Sequence, residues 1–168
     1  MSITKELLGL IQGGNDVTRW HTIPSLRPQT VASHSWGVAM MAMSLFDGKM
    51  EDKLLLVEAA LEHDLAEKVI GDIPRPSRDD SHKILEEQVA VRLGILHESL
   101  LPPHLKTWLE WADLIEAGLQ AHREVNMGNK NYEEVVNRVR EYLDKGWSSV
   151  PIILLRFAED AKLTVKRK

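Results

Sequence analysis

Between short clusters of turn-forming residues, the apolar positions of this chain recur at spacings of three and four, a rhythm that fits amphipathic helices and little else. The turn formers concentrate at Gly13–Asp16, Pro24–Gln29, Gly71–Asp80 and Met127–Asn131. The intervals predict a first helix over Ile3–Ile11, stopped by Gly13–Gly14. A second runs from about His34 to Leu45 with Ser33 as its cap, followed by a turn at Phe46–Asp52. A third spans Lys53–Val69. After a proline-broken loop come Ser81–Leu93 and His104–Asn126, the latter preceded by Pro102–Pro103, where prolines are tolerated. Tyr132–Leu143 and Val150–Leu163, with Pro151 in a first turn, complete the set. Val150–Leu155 is too short and isolated to make a sheet, and no alternating pattern of useful length occurs. The expectation is an all-α chain, one compact bundle of about six to seven helices over residues 1–168 without repeat or linker.

Composition narrows the chemistry. Apolar residues at 43% and charged residues at 27% are those of a folded domain rather than a disordered one. There is no cysteine, which excludes disulfides, thiolate zinc sites and cysteine nucleophiles, and leaves histidines and carboxylates as the metal donors. A net charge of −4 argues against a dedicated nucleic-acid binder. No run of apolar residues is long enough to cross a membrane, and the start MSITKELLGLIQGGN lacks the apolar stretch of a signal peptide, so a cytoplasmic setting is expected.

Within the helical pattern, His63–Asp64 stands near the end of an apolar helix, in ALEHDLAEKVIGDIP. Charges beside a buried face are costly unless paired or bound to a metal. Glu67 follows His63 by four residues and Asp64 by three, and so projects from the same side of the helix. Asp72 comes after a glycine in the adjoining loop, where the chain can fold back over the helix end. His34, in VASHSWGVA, has small neighbours that let another helix approach, and Trp20 and Trp36 flank its segment. Asp113 sits in the apolar stretch LEWADLIEAG. Two imidazoles and two carboxylates suit a divalent transition metal: zinc, cobalt or manganese, with iron and magnesium also compatible. With open positions the site would be catalytic. The plainer alternatives stay open at this point: His34 as a cap or core residue, Asp113 as a solvated charge, Glu67 as a surface glutamate.

Taken together, TRW at 18–20, V-x-S-H-S at 31–35, HDLAE at 63–67, GDIPRP at 71–76 and AD at 112–113 resemble the HD-domain phosphohydrolase superfamily, in its branch of small 5′-deoxynucleotidases. The resemblance runs from about Thr18 to Asp113. It implies metal ligation by His34, His63, Asp64 and Asp113, catalytic roles for the carboxylates of Glu67 and Asp72, phosphate binding by Arg19, and sugar packing by Trp20. Arg27, Arg75, Arg78 and Lys83 lie in or near the same loops and are candidates for further phosphates, or plain solvated charge.

The segment VTRWHTIPSLRPQTVASHSWGVA is also similar to a subgroup of small phage enzymes that convert dATP to deoxyadenosine and triphosphate in phages carrying 2-aminoadenine DNA. That similarity makes a dATP triphosphohydrolase acting in host cytoplasm the first expectation, and a monophosphate-specific 5′-deoxynucleotidase the alternative. A non-catalytic HD nucleotide-binding module is the third reading. Base selection would fall to residues such as His21, Thr22 and Ile23 after Trp20, and to Pro76, with Arg78 as a further substrate contact. The expected partners are a deoxynucleotide and further copies of the chain. The C-terminal helix with Ile152, Ile153, Leu154 and Leu155 would serve either as core or as interface.

Overall fold

The computed structural model describes residues 5–73, 77–95 and 100–164. Among them are seven helices of nine residues or more and one single turn: α1 (Lys5–Asp16), α2 (Val31–Leu45), α3 (Met50–Glu62), α4 (Glu67–Ile70, the single turn), α5 (Asp80–Leu93), α6 (Pro103–Asn126), α7 (Glu133–Lys145) and α8 (Ile152–Asp160). No helix among the described residues is long and apolar enough to cross a membrane.

The core follows from the spacing of apolar side chains. Val38 on α2, Leu56 on α3, Leu105, Leu109 and Ile115 on α6, Leu143 on α7 and Leu154 on α8 are at most 1% exposed and belong to one cluster. A smaller cluster of Ala121, Tyr132, Val135 and Val136 lies beside it, and Trp20 and Ile23 lean against that second group. The C-terminal helix is core through Leu154 and Leu155, while Ile152 is exposed.

Four local expectations need correction. Gly13 and Gly14 do not stop α1, which runs through them to Asp16. A side chain at Gly13 would collide with the stem of Lys68, so Gly13 serves helix packing rather than termination. Ser33 is not the cap of α2: Thr30 is, and its hydroxyl accepts from the Ser33 N–H while the Ser33 hydroxyl accepts from the Thr30 N–H, a reciprocal capping box. The segment expected as one helix over Lys53–Val69 starts earlier, at Met50, and breaks at His63–Ala66. There the backbone tightens into bonds from Leu65 to Glu62, Glu67 to Asp64 and Lys68 to Leu65, one residue shorter than helical. Finally, the chain holds a minimal antiparallel ladder, β1 (Thr18–Arg19) with β2 (Gln29–Thr30). Two residues per strand leave no alternating pattern to read, yet this ladder closes the loop between Trp20 and Pro28 and sets Arg19 opposite Gln29.

Candidate metal centre and substrate cleft

Three elements converge on one point. His34 comes from the first turn of α2, His63 from the end of α3, and Asp113 from the middle of α6. A donor atom from each lies within 4.8 Å of the others. His34 is fully buried, its Nε2 standing 3.0 Å from Asp113 Oδ1, 3.3 Å from His63 Nε2 and 3.6 Å from Asp64 Oδ2. Both imidazoles are oriented by their other nitrogen. His63 Nδ1 donates to the Ala60 carbonyl at 2.9 Å, and His34 Nδ1 donates to Glu116 Oε2. Each ring therefore turns its Nε2 lone pair toward the other, an arrangement favourable only with a proton or a cation between them. Two such nitrogens with the carboxylates of Asp64 and Asp113 fit a borderline divalent metal.

Burial and Arg19 work against a charged His34, but Asp113 and Glu116 outweigh them and raise its pKa. For Asp64, burial favours the neutral acid, yet His63, Arg19 and His34 hold the carboxyl below the usual carboxylate range. Arg19 reaches in from β1, donating to Asp64 Oδ2 at 2.6 Å and standing 3.8 Å from Asp113. Its side chain is 12% exposed and lines the cleft above these two carboxylates.

Glu67 is 2% exposed. Its Oε1 accepts from Arg78 at 2.6 Å, whereas its Oε2 is buried without a hydrogen bond. Burial, and then the neighbouring Asp64 and Asp72, push its pKa up to about 9 against the opposing pull of Arg19 and Arg78. Arg78 is held in turn by the Ile73 carbonyl and by Glu86. Gly71 adopts φ 80°, a conformation open to glycine, and the bend lets Asp72 reach back to accept the Trp20 N–H at 2.9 Å.

Trp20 itself has φ 60°, unfavourable for a bulky side chain and of order 1–3 kcal/mol in cost. The conformation persists because Asp72 takes its N–H, the Ile23 N–H bonds to its carbonyl at 2.8 Å, and its ring stands edge-on to Tyr132 with centroids 6.0 Å apart. Strain of this kind recurs at ligand-binding positions, where the surroundings over-determine the backbone. The resulting cleft measures about 670 Å³. Arg19, Asp64, Asp72, Arg78 and Asp113 line one polar side, Glu134, Arg138, Glu141 and Lys145 add further charge, and Trp20, Ile23, Leu114, Ala117, Val135 and Val139 supply apolar surface.

The loop bearing Trp20 is clamped by α6. Glu124, fully buried, accepts the backbone N–H groups of Leu26 at 2.8 Å and Arg27 at 2.7 Å, and the Asn129 amide at 2.7 Å. Burial opposes its ionisation, but these hydrogen bonds prevail and hold its pKa below the ordinary value. One turn earlier, Gln120 donates to the Arg27 carbonyl at 2.9 Å. Asp113, Glu116, Gln120 and Glu124 thus form a single polar stripe along α6 at spacings of three and four.

The structure brings together His34, His63, Asp64, Asp113, Arg19, Glu67, Asp72, Trp20, Ile23 and Arg78. Pro76 and Arg75 lie outside the described residues. Arg27 and Lys83, considered for phosphate binding, are exposed, and Arg27 contributes its backbone to the Glu124 clamp. Trp36 points outward, 64% exposed, and takes no part in the site. Sequence reasoning missed Glu116 and Gln29. Glu116 was detectable, since it follows Asp113 by three residues on the same helical face.

A family model described as HD domain matches residues 15–145. A dATP triphosphohydrolase of Salmonella phage PMBT28 is 33% identical over 144 residues, covering 77% of this chain and 74% of that protein. A 5′-deoxynucleotidase of Vibrio atlanticus (strain LGP32) is 24% identical over 176 aligned positions, covering 89% and 90%. Among solved structures, the cyanophage S-2L HD phosphohydrolase DatZ, bound to dA and one catalytic Zn2+ ion, matches with a TM-score of 0.66. It is 20% identical and covers 96% of this chain and 98% of its own, a likeness of fold.

Proposed function

The chain belongs to the HD domain family, and from that premise we propose that it is a metal-dependent phosphohydrolase of 2′-deoxynucleotides that breaks the bond between the α-phosphorus and the 5′-oxygen. The favoured reaction is dATP to deoxyadenosine and triphosphate. One observation carries this reading: Asp64 and Asp113, which stand within 3.6 Å of His34 Nε2, line one cleft with Arg19 and Trp20. The 33% identity to a phage dATP triphosphohydrolase supports the triphosphate over the monophosphate.

A divalent ion held by His34, His63, Asp64 and Asp113 would supply Lewis acidity toward a phosphoryl oxygen and toward a water at neutral pH. The donor set favours zinc, cobalt or manganese. The chain's own residues do the rest. Arg19 presents a planar fork to an α-phosphate arriving over Asp64 and Asp113. Once ionised, Glu67 would offer Oε2, buried without a hydrogen bond, as the acceptor for the attacking water, while Arg78 holds Oε1 and keeps the group from turning away. Asp72 lines the same wall, held against the Trp20 backbone, and is assigned the proton delivered to the departing 5′-oxygen. Trp20, locked by Tyr132 and Asp72, forms the wall that excludes a 2′-hydroxyl, and Ile23 beside it borders the base.

The deciding experiment is a product assay with dATP, dAMP, dGTP and ATP in the presence of Mn2+ or Co2+. Deoxyadenosine and tripolyphosphate from dATP are expected; release from monophosphates alone would transfer the assignment to 5′-deoxynucleotidase, and no release at all would defeat the enzyme. In the same assay Trp20→Ala is expected to lower the dATP:ATP ratio of kcat/KM by about tenfold or more, because a lost steric wall is worth roughly 1–3 kcal/mol. A ratio unchanged from the wild type would remove Trp20 from sugar selection.

A further inference from the structure

Trp20 and His34 stand at different parts of the site, yet one run of side-chain hydrogen bonds joins them. Trp20 Nε1 donates to Gln29 Oε1 at 3.4 Å, a long bond. The Gln29 amide then donates from Nε2 to both oxygens of Glu116, at 2.9 and 3.1 Å. Glu116 Oε2 accepts from His34 Nδ1. Each direction is forced. An indole N–H only donates and a carboxylate only accepts, so the Gln29 amide has one consistent orientation. With Glu116 acting as acceptor, His34 keeps a proton on Nδ1 and leaves Nε2 for the metal.

Two features indicate a built connection. Gln29 is 6% exposed, so water cannot readily replace a broken link. Glu116 reaches His34 only because residue 37 is glycine: a Cβ there would stand 2.9 Å from Glu116 Cγ. The backbone of Gln29 is fixed independently by its ladder position opposite Arg19.

We propose that Gln29 is a positioning residue that couples the sugar-facing Trp20 to the metal ligand His34 through Glu116. The placement of the indole and the orientation of the imidazole are then set together rather than separately. The sugar arm of this coupling rests on the deoxynucleotide reading above, whereas the metal arm does not.

The test uses Gln29→Leu and Gln29→Met, which keep side-chain bulk and remove both amide contacts. Two readouts are needed: the Kd and visible absorption spectrum of bound Co2+ without substrate, and the deoxy:ribo ratio of kcat/KM on whichever phosphate series the wild type hydrolyses. Co2+ binding is expected to weaken about tenfold, the low end of what partners of ligating histidines contribute, with a changed spectrum. The deoxy:ribo ratio is expected to fall at least threefold. Trp20→Phe keeps an aromatic ring but removes the five-membered ring and its N–H donor, so it is expected to weaken Co2+ binding in the same direction even if the Gln29 variants fold poorly. Unchanged Co2+ affinity and spectrum in Trp20→Phe, or Gln29 variants that lose metal affinity while keeping full sugar discrimination, would overturn the coupling. A wild type with no preference for deoxyribose defeats the deoxynucleotide reading instead, and the Co2+ measurements still judge the metal arm.

Discussion

Asp64→Ala is expected to abolish divalent-metal retention and lower kcat by about 10³-fold or more, the scale on which a catalytic ion stabilises a phosphoryl transition state by several kcal/mol. Asp64 Oδ2 is 3.4 Å from His63 Nε2, 3.6 Å from His34 Nε2 and 2.6 Å from Arg19. Alanine would remove a proposed metal ligand and also release Arg19, which stands 3.8 Å from Asp113. Elemental analysis after dialysis and steady-state kinetics check this directly. Stoichiometric metal with near-normal turnover would mean that His34, His63 and Asp113 suffice.

The same variant has a pH signature without metal. The Asp64 pKa is lowered in the folded state, so the carboxylate adds stability above its unfolded pKa and loses that contribution as pH falls through the folded value. Chelator-treated Asp64→Ala should therefore be less stable than wild type near neutrality, with the deficit shrinking in acid. Thermal melts at pH 7 and pH 3 measure it, and a deficit that grows on acidification contradicts the assigned ion pair.

Much of this site was legible in the chain because its informative part is local. His63, Asp64 and Glu67 lie within one turn, and helical spacing alone puts them on a common side. The same reasoning misjudged the backbone between them, which tightens at His63–Ala66 as the His63 imidazole donates to the Ala60 carbonyl. Gly13 and Gly14 misled for a related reason: as local signals they end helices, and only the distant Lys68 stem explains Gly13 inside one. Gln29 lay further out of reach. Its role depends on Glu116, 87 positions away, and on a two-residue ladder that no periodicity announces. Glu124 reads in sequence as one more charge late in α6, yet it is fully buried and holds the Trp20 loop by its backbone N–H groups. The proposed site residues His63, Asp64 and Glu67 had a short-range signature, whereas Glu116, Gln29 and Glu124, which hold their neighbours in place, were defined by the fold.

Glu67→Gln separates chemistry from assembly more cleanly than any ligand substitution. Glutamine keeps the shape and an oxygen for Arg78, which now donates to Oε1 at 2.6 Å, but it takes no proton from water. Removing a general base costs about 10²–10⁴-fold in rate, so kcat should fall by that factor while Co2+ or Mn2+ affinity stays within a few-fold of wild type. The metal-free protein adds an independent check. The pKa of Glu67 stands at about 9 in the fold against an ordinary value of 4.5. The folded state therefore binds this proton more tightly than the unfolded chain, and the associated stability, fully present below about pH 4.5, is lost as pH rises toward about 9. Glutamine cannot ionise and escapes that loss, so chelator-treated Glu67→Gln should gain on wild type progressively across the interval. Melting curves at pH 5, 7 and 8.5 decide it. A variant that instead loses ground as pH rises would show Glu67 ionised in the fold and stabilised by Arg78, and the water-orienting role would then need a carboxylate already charged before metal arrives.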